Sequence, residues 1–186
     1  ALLEAYGAEV IVCPTEVPAS DPRSYYKVAE RIRDERGAYL PYQYYNQANP
    51  LAHYHSTGPE IWRQTEGRIT HWVAGIGTGG TISGVARYLK EQNPDVRVIG
   101  VDPIGSVYRY YKEHGELPPE DQIHQYLIDG IGEDLLPESV WLEYVDEVLE
   151  VTDKDAYRAV LELARKEAIF TGSSGGIIET SLALTA

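Results

Sequence analysis

The sequence of 186 residues contains no methionine, a single cysteine and one phenylalanine. One cysteine excludes an internal disulfide and is typical of a reducing compartment, so we expect a cytoplasmic protein. Cys13 lies in an apolar run, where we interpret it as a small buried strand residue. Because the chain starts with Ala1 and lacks methionine, we expect it to be a piece of a longer protein. If modified methionines were omitted from the written sequence, some spacings below are short by a residue.

Basic residues are also scarce, with 16 Lys and Arg against 29 Asp and Glu, which gives a net charge of −13. Nucleic acids and anionic membranes bind basic patches, so this balance argues against both as partners. It does not exclude an anionic ligand, because backbone N–H groups bind phosphate without a basic side chain. No signal peptide is recognisable, and no apolar run is long enough to cross a bilayer.

What the sequence does contain is an alternation of strand-like and helical segments. Short apolar runs predict strands at 8–13, 69–75, 96–101 and 148–151. The apolar spacing predicts helices at 21–36, 58–65, 79–92, 153–167 and 175–186, with Asp21 as the cap of the first. Strands that alternate with helices predict an α/β fold with a mostly parallel sheet flanked by helices.

The clearest chemical feature is the segment 75–81, Gly-Ile-Gly-Thr-Gly-Gly-Thr, which follows a predicted strand and opens a predicted helix. Glycines allow the backbone to turn tightly and to approach a ligand closely. N–H groups at the start of a helix point outward, and the helix dipole favours an anion there. The threonine hydroxyls add further donors. The segment predicts a phosphate cradle without a basic residue, although a turn needed only for packing would also contain glycine.

Three kinds of phosphate ligand compete for this loop. Gly75, Gly77 and Gly80 match the spacing of dinucleotide-binding loops, and Asp102 follows the next predicted strand, where a ribose-binding acid belongs. A P-loop for nucleoside triphosphates is excluded, because no lysine follows the glycines. The third ligand is pyridoxal phosphate, and the loop by itself does not decide between it and NAD.

Two other patterns carry less weight. Gly172, Ser174 and Gly176 match the nucleophile turn of α/β-hydrolases, but no Asp and no His follow to complete a triad. His53 and His55 would share one face of a strand, but no convincing third ligand stands nearby. We therefore predict neither a hydrolase nor a metal site.

Several blocks occur together in one order along the chain: 43–44, 49–54, 57–62, 77–84, 130–132 with Pro137, and 171–176. Together they resemble the fold-type II pyridoxal-phosphate enzymes of the cystathionine β-synthase and cysteine synthase family. The resemblance covers essentially the whole sequence. It implies that residues 1–46 are the remnant of a smaller N-terminal domain and that residues 47–186 form the large cofactor-binding domain.

The resemblance implies that the cofactor is pyridoxal phosphate, held at two places. Ser174 would bind the ring nitrogen, and a neutral serine there favours elimination and replacement at Cβ over transamination. As the first residue before a predicted helix, Ser174 is also a candidate N-cap. The phosphate would be bound by the loop residues Gly77, Thr78, Gly79, Gly80 and Thr81.

The resemblance also implies a pocket for small amino-acid substrates, lined by Tyr44, Gly130 and Gly132. Tyr44 has a plain alternative as a core aromatic, since the sequence contains 15 tyrosines. The two glycines have a plain alternative as an ordinary turn. The resemblance also implies a homodimer.

The activity implied is the condensation of serine with homocysteine to cystathionine and water. Segment 49–54 and Asp102, where cysteine synthases more often carry Glu, favour a cystathionine β-synthase. Cysteine synthase, which joins an activated serine to sulfide, is the alternative. Glu133 stands where β-synthases often carry an aromatic residue, so the substrate preference stays open.

Two motifs of the family are missing from this sequence. The Schiff-base lysine and the loop that binds the substrate carboxylate both precede the segment that matches Ala1. The lysines present lie in other contexts, at Lys27, Lys90, Lys112, Lys154 and Lys166. We therefore expect this chain to contain no catalytic residue and to be inactive alone, and a non-catalytic fragment or assembly partner is a further alternative.

Overall fold

The computed structural model describes residues 2–15 and 17–185, with side chains described as far as residue 181. The chain divides into two compact units, Ala1–Tyr42 and Gln43–Ala186. The predicted domain boundary after residue 46 falls a few residues beyond this division, and it stays a prediction.

The described part of the first unit contains the helices α1 (Leu2–Ala5) and α2 (Tyr25–Arg36). The hydroxyl of Ser24 accepts a hydrogen bond from the N–H of Lys27 at 3.3 Å, so Ser24 is the N-cap of α2. The prediction of Asp21 as the cap is wrong. Its carboxylate instead accepts hydrogen bonds from the amide and the guanidinium of Arg23, in the turn that precedes the helix.

The strand predicted at residues 8–13 is not formed. Residues 8–14 have no regular structure, and Val10, Ile11 and Val12 are exposed to 39%, 48% and 90%. A strand needs a neighbour that pairs with its N–H and C=O groups, and none of the described residues pairs with this segment. Cys13 is accordingly half-buried rather than buried.

The second unit has the predicted α/β architecture. Its described residues form a parallel three-stranded sheet in the order β1 (His71–Gly75), β2 (Arg97–Pro103) and β3 (Glu147–Val151). Gly75 pairs with Val101, and Pro103 pairs with Val151, so the carboxyl ends of the strands meet at one edge. The helices are α3 (Ala48–His55), α4 (Thr57–Gln64), α5 (Gly80–Gln92), α6 (Tyr108–His114), α7 (Asp153–Lys166) and α8 (Ser173–Thr185).

Helices cover both faces of the sheet. On one face Val98 belongs to the same buried cluster as Ile82 of α5 and Tyr108 of α6. On the other face Val101 belongs to a cluster with Ile177 of α8, and α7 packs against α8. A parallel sheet buried on both faces leaves the edge at the carboxyl ends of its strands as the place for a ligand.

Helix α3 is the main element that the sequence did not indicate. It spans eight residues, too few for a clear apolar period, and Pro50 lies within its first turn, where proline is tolerated. The helix packs closely on α5, since a Cβ added to Gly84 would lie 2.1 Å from the carbonyl oxygen of Pro50. This approach brings the start of α3 to the start of α5.

The other predicted elements of the second unit are present, with ends shifted by a few residues at most. The poorly periodic stretch 103–128 contains α6 and the 3₁₀ turn Glu120–Gln122. None of the helices in residues 2–15 and 17–185 has the length and apolar character that a membrane span requires.

Candidate functional site

The glycine loop lies at the carboxyl edge of the sheet, between β1 and α5. Gly79 precedes α5 in the left-handed conformation, with φ 84°. A Cβ on Gly79 would lie 2.4 Å from the Cβ of Val140, and one on Gly77 would lie 2.8 Å from the carbonyl oxygen of Gly130. The backbone therefore runs so close to its neighbours that only glycine fits at these two positions.

The amide N–H groups of residues 77–81 have no hydrogen-bond acceptor among the described residues. The first N–H groups of a helix have no acceptor within the helix, so these donors are available to a ligand or to water. The 13-residue helix α5 adds the positive end of its dipole at the same place. Residues 75–84 include no Lys and no Arg. The loop is thus a neutral cradle that suits a phosphate group.

Asn49, at the start of α3, lies against this cradle without taking its donors. Its Nδ2 donates hydrogen bonds to Oγ1 of Thr78 at 3.0 Å and to the carbonyl oxygen of Gln43 at 2.9 Å. Its Oδ1 lies beside Gly80, but no loop amide within the described residues bonds to it. Since Thr78 Oγ1 accepts from Asn49, the hydroxyl proton of Thr78 stays available for another acceptor.

His53 contacts the other threonine of the loop. Its Nε2 lies 3.1 Å from Oγ1 of Thr81, and its Nδ1 lies 2.9 Å from Oγ1 of Thr57. Partial burial lowers the pKa of His53 and so favours the neutral ring. His53 and His55 lie on helix α3 rather than on a strand, and the described residues include no cluster that could hold a metal ion.

The turn at residues 130–132 packs over the glycine loop. The N–H of Gly132 donates to the carbonyl oxygen of Ile76 at 2.7 Å. A Cβ on Gly132, which has φ 78°, would lie 2.4 Å from the hydroxyl oxygen of Tyr126, whereas a Cβ on Gly130 would meet nothing within 4 Å. The two predicted substrate residues of this turn therefore border the cradle. Gly132 is tightly packed, whereas a side chain at Gly130 would point into open space.

Ser174 lies in the first turn of α8, which begins at Ser173 rather than at the predicted residue 175. Ser174 is therefore not the N-cap. The hydroxyl of Ser173 accepts a hydrogen bond from the N–H of Asp129 at 3.4 Å, which ties the start of α8 to the turn that holds Gly130. Ser174 is half-buried, and its hydroxyl has no partner among the described residues, so it is free to bind a ligand.

Two residues at the loop carry no motif that the sequence analysis could have found. Ser139 is completely buried, and its Oγ lies 2.5 Å from the carbonyl oxygen of Thr78 and 3.0 Å from that of Tyr44. Tyr108 is also completely buried, and its hydroxyl donates to the carbonyl oxygen of Gly77 at 2.5 Å. Tyr44 is half-buried, and Ser139 ties its backbone to the loop.

Asp102 does not face a ligand. Its side chain is completely buried, and its Oδ2 accepts hydrogen bonds from the N–H groups of Tyr108 at 3.1 Å and Arg109 at 3.3 Å, at the start of α6. Burial raises the pKa of this carboxyl group to about 7, against the opposing effect of the Ser106 hydroxyl and of these two N–H groups. An acid that binds the ribose of NAD must be reachable from the crevice. The buried Asp102 is not, so it no longer supports NAD as the ligand.

A family model described as "Pyridoxal-phosphate dependent enzyme" matches residues 1–183. The chain belongs to this family. Cystathionine beta-synthase of Apis mellifera is 38% identical over 175 residues, which are 94% of this chain and 34% of that protein. Cysteine synthase B of Pseudomonas aeruginosa is 41% identical over 187 residues, 100% of this chain and 56% of that protein. Cysteine synthase 3 of Caenorhabditis elegans is 39% identical over 177 residues, which are 95% of this chain and 49% of that protein.

Membership of the pyridoxal-phosphate dependent enzymes confirms the resemblance, the fold-type II architecture and the cofactor predicted from the sequence. The chain spans between about a third and a little over half of the length of these relatives. The neutral cradle fits the phosphate of this cofactor. The segments gathered around it, 43–54, 75–84, 129–140 and 171–176, contain no lysine.

Replacing Asp102 by Asn should change how the stability of the protein depends on pH. The pKa of Asp102 rises from 3.8 to about 7 on folding, so between those pH values the folded protein keeps a proton that the unfolded chain has lost. This group therefore makes the free energy of unfolding fall as pH rises from about 4 to about 7. We expect Asp102→Asn to remove that fall, measured by urea unfolding across this range.

The matched control is Asp95→Asn, which replaces an exposed carboxylate just before β2. It makes the same change of charge at an exposed position. An Asp102→Asn profile that follows the unmodified protein would show that the buried carboxyl group does not retain its proton.

Proposed function

We propose that the intact protein performs pyridoxal-phosphate-dependent β-replacement on serine or an activated serine, and that residues 77–81 bind the phosphate of the cofactor. The observation that supports this most strongly is the row of N–H groups at the start of α5 for which the described part of the chain supplies no acceptor. These donors lie at the carboxyl edge of a parallel sheet, where α/β proteins bind their ligands.

When bound, pyridoxal phosphate withdraws electrons from the α-carbon of an amino acid and makes loss of its β-substituent possible. The residues of this chain contribute binding and orientation. The loop amides and the hydroxyls of Thr78 and Thr81 donate to the phosphate. The Ser174 hydroxyl donates to the ring nitrogen, while Tyr44 and the turn at 130–132 border the space for the amino-acid substrate.

Among β-replacement reactions we favour the condensation of serine with homocysteine to cystathionine. Segment 49–54 supports this choice, and it supplies both Asn49 and His53 to the loop. Asp102 gives this reaction little support, although an Asp at this position favours cystathionine β-synthase over cysteine synthase in the sequence. The residue is buried against the start of α6 and touches no substrate. Cysteine synthase is the second candidate, supported by 41% identity to Cysteine synthase B over the whole of this chain.

We further propose that the lysine that binds the cofactor covalently comes from outside residues 1–186. The four segments at the cradle contain no lysine. Lys90 pairs instead with Asp146 at 2.8 Å, and Lys112 donates to the carbonyl oxygen of Leu142 at 2.9 Å. On this proposal residues 1–186 bind and orient the cofactor but do not complete the reaction alone.

The function is tested with the purified intact protein. Added pyridoxal phosphate should give a yellow protein, and L-serine should shift its visible absorption. The product assay then compares kcat/KM for serine with homocysteine against O-acetylserine with sulfide. A higher value for the second pair would favour cysteine synthase, and a protein that stays colourless with added cofactor would contradict β-replacement altogether.

Replacing Gly79 by Ala should weaken cofactor binding. The left-handed conformation costs a residue with a Cβ about 1–2 kcal/mol, and this Cβ would also clash with Val140. Because about 1.4 kcal/mol corresponds to tenfold, we expect the Kd for pyridoxal phosphate to rise about tenfold or more, measured by fluorescence titration. Gly115→Ala, at φ 76° with no atom near the added Cβ, is the control with similar backbone strain outside the loop. Equal losses in both variants would argue against the cradle.

Replacing Ser174 by Ala should leave the phosphate bound but remove the partner of the ring nitrogen. We expect a changed visible spectrum of the bound cofactor and a loss of turnover of about tenfold, the scale of one hydrogen bond to a reacting group. Ser173→Ala removes the neighbouring hydroxyl, which is already engaged with the N–H of Asp129. If the spectra of both variants match that of the unmodified protein, Ser174 does not meet the ring.

A further inference from the structure

Two buried hydroxyl groups contact consecutive carbonyl groups of the glycine loop. The hydroxyl of Tyr108 lies 2.5 Å from the carbonyl oxygen of Gly77, and Oγ of Ser139 lies 2.5 Å from that of Thr78. Tyr108 comes from α6, and Ser139 comes from the segment that precedes the 3₁₀ turn Leu142–Tyr144. Residues distant in sequence therefore converge on two neighbouring peptide groups.

The geometry of the peptide group makes these contacts relevant to the ligand. In a planar trans peptide the C=O and the N–H point in opposite directions. The carbonyl of Gly77 shares its plane with the N–H of Thr78, and the carbonyl of Thr78 shares its plane with the N–H of Gly79. A hydroxyl that holds each carbonyl on the protein side therefore turns the matching N–H toward the opposite side, where both lack acceptors in the described chain.

The available protons are sufficient for both contacts. The single hydroxyl proton of Ser139 has two nearby acceptors, but the carbonyl oxygen of Tyr44 already receives the N–H of Ser139 at 3.0 Å. The carbonyl oxygen of Thr78, at 2.5 Å against 3.0 Å, is the closer acceptor and so receives the proton. Burial strongly raises the pKa of Tyr108, so its hydroxyl stays protonated and can donate.

Both donors are also fixed in place. The N–H of Tyr108 donates to the buried carboxyl group of Asp102, which anchors the start of α6, while the ring packs in the core beneath the sheet. The N–H of Ser139 is anchored by the backbone of Tyr44. A donor held in this way resists rotation of the peptide that it contacts.

We propose that Tyr108 and Ser139 are positioning residues that aim the N–H groups of Thr78 and Gly79 at the phosphate of the cofactor. The proposal rests on the proposed phosphate-binding role of residues 77–81. It adds that two side chains, which touch neither cofactor nor substrate, hold the loop from the side opposite the phosphate. Their contribution is therefore specific to ligands that carry the phosphate.

The test uses the intact protein from which the cofactor has been removed. Tyr108→Phe and Ser139→Ala each remove one of the two hydroxyl groups. The Kd is measured for pyridoxal phosphate and for pyridoxal, which lacks the phosphate, by titration of protein fluorescence. We expect each variant to raise the Kd for pyridoxal phosphate about tenfold, which is about 1.4 kcal/mol, and to leave the Kd for pyridoxal within about twofold.

Two control variants remove similar hydroxyl groups elsewhere. Ser24→Ala removes a buried hydroxyl that donates to the carbonyl oxygen of Ala19 at 2.9 Å, and Tyr54→Phe removes one that donates to Glu91 at 2.6 Å. Both controls should keep the ratio of the two Kd values found for the unmodified protein. The ³¹P NMR signal of the bound cofactor should shift in Tyr108→Phe and Ser139→Ala but not in the controls.

The outcomes separate the two proposals. An unmodified protein that binds pyridoxal as tightly as pyridoxal phosphate would overturn the phosphate-binding role itself. If the unmodified protein prefers pyridoxal phosphate, but each variant weakens both ligands equally or neither, the positioning role alone is wrong. Ser139→Ala tests the same role at the neighbouring carbonyl group, so it decides the question if Tyr108→Phe yields too little folded protein.

Discussion

The feature on which the rest of the site depends is a set of backbone N–H groups, where α5 begins, that no acceptor within residues 2–15 and 17–185 meets. The N–H groups at the start of a helix have no partner within the helix, so they must bond to water or to a ligand. Gly77 and Gly79 let the backbone of this loop run so close to Gly130 and Val140 that a residue with a Cβ would clash there. The helix dipole then makes an anion the natural occupant, even in a chain whose net charge is −13.

Around this constraint the fold supplies support from several directions. Helix α3 contributes Asn49 and His53, which contact the hydroxyls of the two loop threonines. The turn at 130–132 covers the loop, and the start of α8 is tied to that turn through Ser173. The loop is short and rich in glycine, so its shape depends on these contacts more than on its own residues. These contacts hold the loop in the shape that the proposed phosphate site requires.

Much of the architecture could be predicted because its signals are local. The strands β1, β2 and β3 are short β-branched or apolar runs, and α5 and α7 have a clear helical period over 13 and 14 residues. The strand predicted at 8–13 had the same local signal, but a strand also requires a partner, which local sequence does not provide. Helix α3 has the opposite property, because it forms although its local sequence gives no clear signal. Eight residues are too few to show a helical period, and the packing of α3 on Gly84 is a tertiary contact.

The sequence by itself determined the glycine loop and the order of the motifs around it, because both depend on residue types at fixed spacing along the chain. Only the tertiary structure decided that Asp102 caps α6 and does not reach a ligand, since side-chain direction depends on what packs nearby. Only the tertiary structure brought Tyr108 and Ser139 behind the loop. One of 15 tyrosines and a serine in an irregular segment carry no pattern, and their contacts exist only once the sheet and helices have brought distant residues together.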